Sequence, residues 1–376
     1  MLYFDHNATH PLLPAARRAW LDATERFIGN PSSPHRLGAR AEAALDSARE
    51  KLAGWVGCNP TDIVWTSGAT EANNTAAHHL SGQPGEAWVS AIEHPCLLAA
   101  TGRYFAGRYR LIPISQGQID EAWVRAELRQ SRPAFIAAMA VNNETGVLQP
   151  WDRLAEICRE QNVPYLCDAA QWIGKLPAKG LGACDFVSGC AHKFGGPQGV
   201  GFLKCPPRLQ PLLVGGPQEG RRRAGTENVA GVLAMIAALE ERELAMRDDS
   251  AMNAQQSWRD EFERALLAAL PDVEIVGGSK KRIWNTVSAI MPEQADCRQR
   301  WVVKLDKLGF AVSTGSACAT GQERPSHVLS AMSYTQAQAG RVLRFSSGWE
   351  TRAADWQALL GGIVQATHEL VGSFPP

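Results

Sequence analysis

Tyr165-Leu166-Cys167-Asp168-Ala169-Ala170-Gln171 and, further on, Phe186-Val187-Ser188-Gly189-Cys190-Ala191-His192-Lys193 together decide how the chain is read. Each is a short apolar run closed by polar residues, with a carboxylate at Asp168 and an amine at Lys193. If the two runs are neighbouring parallel strands, Asp168 and Lys193 lie side by side, the lysine aimed into the crevice at the strands' carboxyl ends. An amine able to form a Schiff base, beside an acid that keeps a ring nitrogen protonated, is what a pyridoxal phosphate site requires. Taken singly the two residues say less: Asp168 reads equally well as a helix N-cap, and a lone lysine after a strand as a solvated side chain.

Working outward, short apolar runs alternate with helical segments at Asp62–Thr66, Ala87–Ile92, Arg110–Ile114, Ala134–Val141, Pro164–Cys167, Phe186–Ser188 and Val200–Lys204. Near-continuous apolar strands imply burial on both faces, hence a mainly parallel seven-stranded sheet covered by helices in an α/β domain. Before it stand an extended arm, residues 1–14, a helix over Pro14–Phe27, and a helix whose Leu37, Ala41, Ala44, Leu45, Ala48 and Leu52 share one face. Two helical stretches follow Asn228, at Val229–Met246 and Ala251–Leu270, then strand-like runs at Val273–Val276, Thr286–Ile290, Phe310–Ser313 and Val342–Phe345 and a last amphipathic helix over Ala353–Leu370. The expected organisation is a large domain over 15–250 and a smaller α+β domain built from 1–14 and 251–376.

Composition narrows the function classes. With 38 basic and 38 acidic residues there is no global field to draw in nucleic acid or an anionic membrane. The amino terminus has neither a basic leader nor an apolar core of signal length, and the run Val229–Leu239 is too short to cross a bilayer, so a cytoplasmic location is expected. Nine scattered cysteines without a Cys-x-x-Cys pair support neither a disulfide framework nor a zinc site, and no metal is expected. The run Arg221-Arg222-Arg223 reads as a solvated or intersubunit loop rather than an RNA patch.

Other residues gain weight from company. Ser67-Gly68-Ala69-Thr70-Glu71 ends a strand and opens a helix, where free amides and hydroxyls make an anion site, although ordinary capping gives the same pattern. His94 follows a strand and could stack on a flat cofactor and exchange protons; a structural histidine is the plainer reading. Cys318 sits in the small-residue stretch Ser313–Gly321, which suits an accessible thiol as well as an inert one. Arg344, inside Val342-Leu343-Arg344-Phe345-Ser346, needs a carboxylate, either a substrate's or a structural ion-pair partner's.

Asp5-His6-Asn7-Ala8-Thr9, Gly29-Asn30-Pro31-Ser32-Ser33, Thr66-Ser67-Gly68-Ala69-Thr70-Glu71, Val141-Asn142-Asn143-Glu144, Asp168-Ala169-Ala170-Gln171, Ala191-His192-Lys193, Arg223-Ala224-Gly225-Thr226, Gly315-Ser316-Ala317-Cys318 and Arg344-Phe345-Ser346 follow one another in the order found in one family. Nearly end to end, the chain resembles the NifS/IscS-type cysteine desulfurases, pyridoxal-phosphate enzymes of the class V aminotransferase family with fold type I. The resemblance implies Lys193 for the Schiff base, Asp168 for the pyridine nitrogen, Gln171 for the ring phenolate oxygen and His94 for stacking and proton exchange. It implies that Ser67, Ala69, Thr70, Cys190 and His192 surround the phosphate, that Thr226 reaches it from the other subunit of a homodimer, that Asn143 and Arg344 hold L-cysteine, and that Cys318 is the nucleophile. A persulfide on Cys318 would pass to an acceptor such as an iron–sulfur scaffold.

The chain also departs from that pattern. Cys190 stands where a serine usually precedes Ala-His-Lys, which replaces a phosphate-binding hydroxyl with a weaker thiol donor. Pro217 interrupts a glycine triplet, His10 replaces a threonine, and the carboxyl tail is short for docking a scaffold. Since the cofactor residues are shared, a selenocysteine lyase or another class V lyase or aminotransferase is the alternative, and a non-catalytic sulfur-trafficking protein a further one.

Overall fold

The computed structural model describes residues 1–293, 297–315 and 326–371. The chain opens with β1 (Leu2–Tyr3), α1 (Pro14–Arg26) and α2 (Arg36–Val56). Strands and helices then alternate as β2 (Ile63–Thr66), α3 (Ala69–Leu80), β3 (Ala87–Ser90), α4 (Pro95–Tyr104), β4 (Tyr109–Ile112), the hairpin β5 (Ile114–Ser115) and β6 (Gln118–Ile119), α5 (Glu121–Leu128), β7 (Phe135–Ala137), α6 (Trp151–Glu160), β8 (Tyr165–Asp168), β9 (Phe186–Cys190) and β10 (Gly201–Lys204). After α7 (Gln218–Arg221), α8 (Val229–Ala245) and α9 (Asp249–Ala269) come β11 (Glu274–Ile275), β12 (Thr286–Ile290), α10 (Cys297–Lys307), β13 (Phe310–Ala311), α11 (His327–Ala331), α12 (Gln336–Ala339), β14 (Val342–Ser346) and α13 (Ala353–Val371).

The large sheet has seven strands in the order β2-β10-β9-β8-β7-β3-β4. Its pairings are parallel except those of β10, which runs antiparallel to both β2 and β9. The link from β9 to β10 is too short for the helical crossover that a parallel return needs. The strands are apolar throughout because alternate residues feed two cores. Ile63, Trp65, Trp88, Ile136, Tyr165, Cys167, Val187 and Phe202 pack with α2, α6 and α8. Val64, Val89, Phe135, Leu166, Phe186 and Leu203 pack with α3 and α4 on the other face. Burying a Val, Leu, Ile or Phe side chain contributes about 1.5–3 kcal/mol, so both layers hold the sheet rigid under the site.

A separate core gathers Phe4, Phe262, Leu266, Val287, Trp301, Leu343, Phe345, Trp356 and Ile363 around the antiparallel sheet β11-β12-β14. Among the described residues no helix is long and apolar enough to cross a membrane.

Several local expectations are corrected. The run Arg110–Ile114 is two strands, because Pro113 has no N–H to continue the ladder and Ile114 turns into the β5–β6 hairpin. The arm, read as extended, is held as a strand: β1 pairs in parallel with β13 at the start of the Phe310–Ser313 run, whose end bridges Arg344 of β14 through Ser313. Leu37 is exposed on α2; Gly38 takes the buried place on that turn, where a Cβ would lie 2.3 Å from the Ser33 carbonyl oxygen.

Candidate active site

β8 and β9 pair in parallel with Asp168 opposite Ser188, and β9 runs two residues further before the short turn Ala191–Lys193. That offset brings Asp168 and Lys193 into one pocket of roughly 1040 Å³ at the carboxyl ends of the strands. Ser67, Ala69, Thr70, His94, Asn143, Asp168, Gln171, Cys190, His192, Lys193 and Arg344 all line it. Thr226 is exposed and is not among the lining residues. Cys318 lies outside the described residues.

The amino-terminal arm crosses this pocket. The His10 amide donates to the His192 carbonyl at 2.7 Å, and the Lys193 amine donates to the carbonyls of Asn7 and Ala8, each at 2.7 Å. Asp168 is 5% exposed and accepts from the Asn73 carboxamide at 2.7 Å and the Ala170 amide at 3.0 Å. Among the described residues no basic side chain forms a salt bridge with it, so a buried carboxylate faces the pocket with neutral donors only. The alternative reading of Asp168 as a helix N-cap does not hold: no helix directly follows β8, and the Asp168–Ala170 bond closes a turn at the strand end while Asn73 takes the other carboxylate oxygen.

At the far end, β2 turns into α3 through Ser67 and Gly68, and no side chain caps the helix. The turn sits close against β10: a Cβ on Gly201 would lie 2.6 Å from the Gly68 Cα, so glycine there lets the first turn of α3 settle over the pocket. Glu71 accepts from the Ser67 amide at 2.8 Å and from Arg223 at 2.9 Å. Burial opposes its charge, but these bonds outweigh that and hold the carboxyl below its ordinary range. Arg222 bonds the Thr61 carbonyl at 2.7 Å, so the arginine run is tied to the body of the chain at two positions.

His94 caps α4, its Nδ1 accepting from the Cys96 amide at 3.2 Å, which leaves Nε2 as the protonated nitrogen of the neutral ring. Burial lowers its pKa, and the Asp168 charge only partly restores it. His192 is likewise lowered, to about 4, by burial and then by Lys193; its Nδ1 lies 3.3 Å from the Thr9 hydroxyl. Two pocket thiols stay protonated at neutral pH: burial pushes Cys96 up to about 12 and Cys190 to about 11. Cys190 lies against the start of α3, where a Cβ built on Gly68 would come 4.0 Å from the Cys190 Cβ.

Arg344 on β14 is 1% exposed. Its Nη2 meets Asp5 Oδ1 at 2.7 Å, while Nη1 donates to the carbonyls of Asn143 and Gly315, each at 2.9 Å. The structural ion pair, one of its two expected partners, is therefore present, and the guanidinium still faces the pocket.

Sequence reasoning missed Asn73, Asn142, Glu93 and Lys175. Asn73 is four residues beyond Ala69 on α3, so helical spacing was the available signal there; Lys175 follows the tight turn at Gly174 (φ +75°) and has no such periodic signal. Asn142 builds the turn before Asn143, accepting from the amides of Glu144 at 3.0 Å and Thr145 at 2.9 Å. Glu93 is fully buried behind His94 and accepts from the Met139 amide at 2.7 Å; no local pattern foretells a buried acid.

The Aminotransferase class-V family model matches residues 2–359. A cysteine desulfurase of Klebsiella pneumoniae is 39% identical over 358 residues, covering 93% of this chain and 89% of that protein. A NifS-like protein from Rickettsia africae superposes with a TM-score of 0.87 at 27% identity, covering 99% of each chain. A structure described as SspA in complex with cysteine matches with a TM-score of 0.78 at 28% identity, over 92% of this chain and 98% of that one. With its pocket at the strand ends and a match along nearly its whole length, the chain belongs to the class-V aminotransferase family.

Proposed function

We propose that this protein is a cysteine desulfurase that uses pyridoxal 5'-phosphate to convert L-cysteine to L-alanine, leaving the sulfur as a persulfide on Cys318. The observation that carries this reading is that one pocket is lined by Lys193 and by the buried Asp168 carboxylate, which forms no salt bridge among the described residues. The pocket's donors suit the cofactor at both ends: an uncapped helix start with Ser67, Thr70 and His192 for a phosphate, and a buried carboxylate for a protonated ring nitrogen. When bound, the cofactor supplies an electron sink for the substrate α-carbon.

The chain's own residues do the rest. Lys193 Nζ would take the α-proton, and Asp168, held by Asn73 and the Ala170 amide, would hold its charge toward the ring nitrogen of the bound cofactor. With the cofactor bound, Gln171 would donate to its ring oxygen, neutral His94, protonated at Nε2, would stand by the ring, and Asn143 and Arg344 would hold the substrate. Cys318 thiolate attacks the substrate sulfur. The new S–S bond replaces the C–S bond, whose electron pair stays with carbon; carbon takes a proton and leaves as alanine. The high pKa values of Cys96 and Cys190 make them poor thiolates and favour Cys318 in this role.

The same reading includes a cytoplasmic homodimer in which Thr226 reaches the partner's cofactor, a sulfur-acceptor protein such as an iron–sulfur scaffold, and domains over 15–250 and over 1–14 with 251–376. Alanine and sulfide measured from cysteine with the cofactor-loaded protein test the activity. Cys318→Ser is expected to abolish the persulfide, and undiminished desulfuration in that variant overturns the nucleophile assignment.

A further inference from the structure

Lys175 is a second lysine beside the pocket, 3% exposed, whose role the mechanism above leaves open. Its amine donates to Gln171 Oε1 at 2.5 Å and to Asn7 Oδ1 at 2.7 Å. No carboxylate pairs with it among the described residues, and its charged neighbours Lys193 and Arg344 repel it. Burial first, and then those two cations, bring its pKa well below the ordinary lysine value, with Cys190 opposing weakly. Such a costly position is held by the backbone. Gly174, with φ +75°, turns tightly against Phe194, whose Cβ would lie 2.2 Å from an added Cβ, and the Lys175 carbonyl accepts from the Trp284 indole at 2.8 Å.

Charged or neutral, an amine has at least two N–H groups to donate, and here both go to carboxamides. A carboxamide that meets a donor must present its oxygen, which fixes which way it is flipped. Gln171 therefore turns Nε2 away from Lys175; one N–H reaches the Asn7 carbonyl at 2.9 Å and the other is left for the pocket that Gln171 lines. Asn7 is fixed by Lys175 together with Asn285, whose Nδ2 also donates to the Asn7 Oδ1 at 3.1 Å, and its own Nδ2 rests on Thr286 Oγ1 at 2.9 Å and on the Asn143 carbonyl at 3.2 Å. The Asn7 carbonyl also accepts from Lys193, so one asparagine links the two amines.

We propose that Lys175 is a positioning residue that locks the Gln171 and Asn7 carboxamides, so that Gln171 offers the pocket an N–H donor suited to an anionic oxygen on the cofactor ring. This role rests on the pyridoxal phosphate reading above. A donor at that oxygen stabilises the deprotonated form of the cofactor linkage, so losing it raises the pH at which the linkage gives up its proton.

The test is the pH midpoint of the visible absorbance change in cofactor-loaded protein. Lys175→Met is expected to raise that midpoint by about one pH unit, with weaker cofactor retention. Gln171→Leu should raise it similarly, and the double variant should add nothing further, because Lys175 acts through Gln171. An unchanged midpoint in Lys175→Met, or additive effects in the double variant, overturns the role. Should Lys175→Met not accumulate as folded protein, Gln171→Glu carries the test. Its carboxylate keeps Lys175 as a partner but has no N–H for the cofactor oxygen, so the loaded midpoint is expected to rise. An unchanged loaded midpoint in Gln171→Glu overturns the role. Wild-type protein that takes up no cofactor overturns the functional reading and this role with it, whereas wild type that loads normally beside an unchanged variant overturns the role alone.

Discussion

The two sides of the pocket are built in opposite ways. On the sheet side, Ser67, His94, Asp168 and Lys193 each follow an apolar strand within a few residues, and the pairing of β8 with β9 sets the spacing of the acid and the amine. On the closing side, Asp5 to Ala8, Asn143 and Arg344 come from distant parts of the chain, and the Arg344–Asp5 ion pair joins residues 339 apart. The sheet side stands on two packed cores and can carry polar residues without depending on them for its shape. The closing side is shaped by its polar contacts, so chemistry and stability are separable on one side and coupled on the other.

The largest expected effect lies on the sheet side. Lys193→Ala should lower desulfuration by roughly 10³-fold or more, while the cofactor-free protein loses only the two hydrogen bonds to the Asn7 and Ala8 carbonyls and so less stability than Arg344→Met. A large loss of melting temperature in this variant would break the contrast between the two sides. Next comes Arg344→Met, which leaves Asp5 and two carbonyls without their donor; unfolding in denaturant should show a loss of about 3 kcal/mol, with a raised KM for cysteine. Full stability together with a raised KM would mean that Arg344 serves substrate alone.

A third test concerns Glu93, behind the sheet side. Burial, and then the nearby Asp168 charge, raise its pKa from 4.5 to about 8. Below 4.5 the group is protonated in folded and unfolded chains alike; between 4.5 and about 8 only the unfolded chain ionises, so this residue makes stability fall as pH rises through that window. Glu93→Gln should therefore match the wild-type melting temperature at acidic pH and exceed it above about pH 8. A difference that does not vary with pH would count against a protonated Glu93.

The smallest effect belongs to Cys190→Ser. A hydroxyl in place of the thiol at the start of α3 is expected to keep cofactor binding or tighten it by up to about 1 kcal/mol, measured by cofactor dissociation. Looser binding would place the residue away from the phosphate.

How much of this is legible in the chain follows from the range over which each signal acts. The seven strands, the placing of Asp168 and Lys193 at neighbouring strand ends and the helix start at Ala69 are local patterns of burial and turn chemistry. They could be read because an apolar run buried on both faces needs no knowledge of its partner to be recognised. The hairpin after Pro113 and the pairing of β13 with β1 were not legible, since two-residue strands carry almost no period.

What the sequence by itself determined is the α/β architecture and the residues gathered around the amine and the acid, because periodicity and residue type are set within a few positions of each other. The tertiary structure alone decided that Asn73 rather than a cation holds Asp168, that Arg344 is paired with Asp5, and that Lys175 turns Gln171 toward the pocket. Those choices depend on which buried donor meets which acceptor after the chain closes, and the cost of leaving a buried polar group unpaired is settled only there.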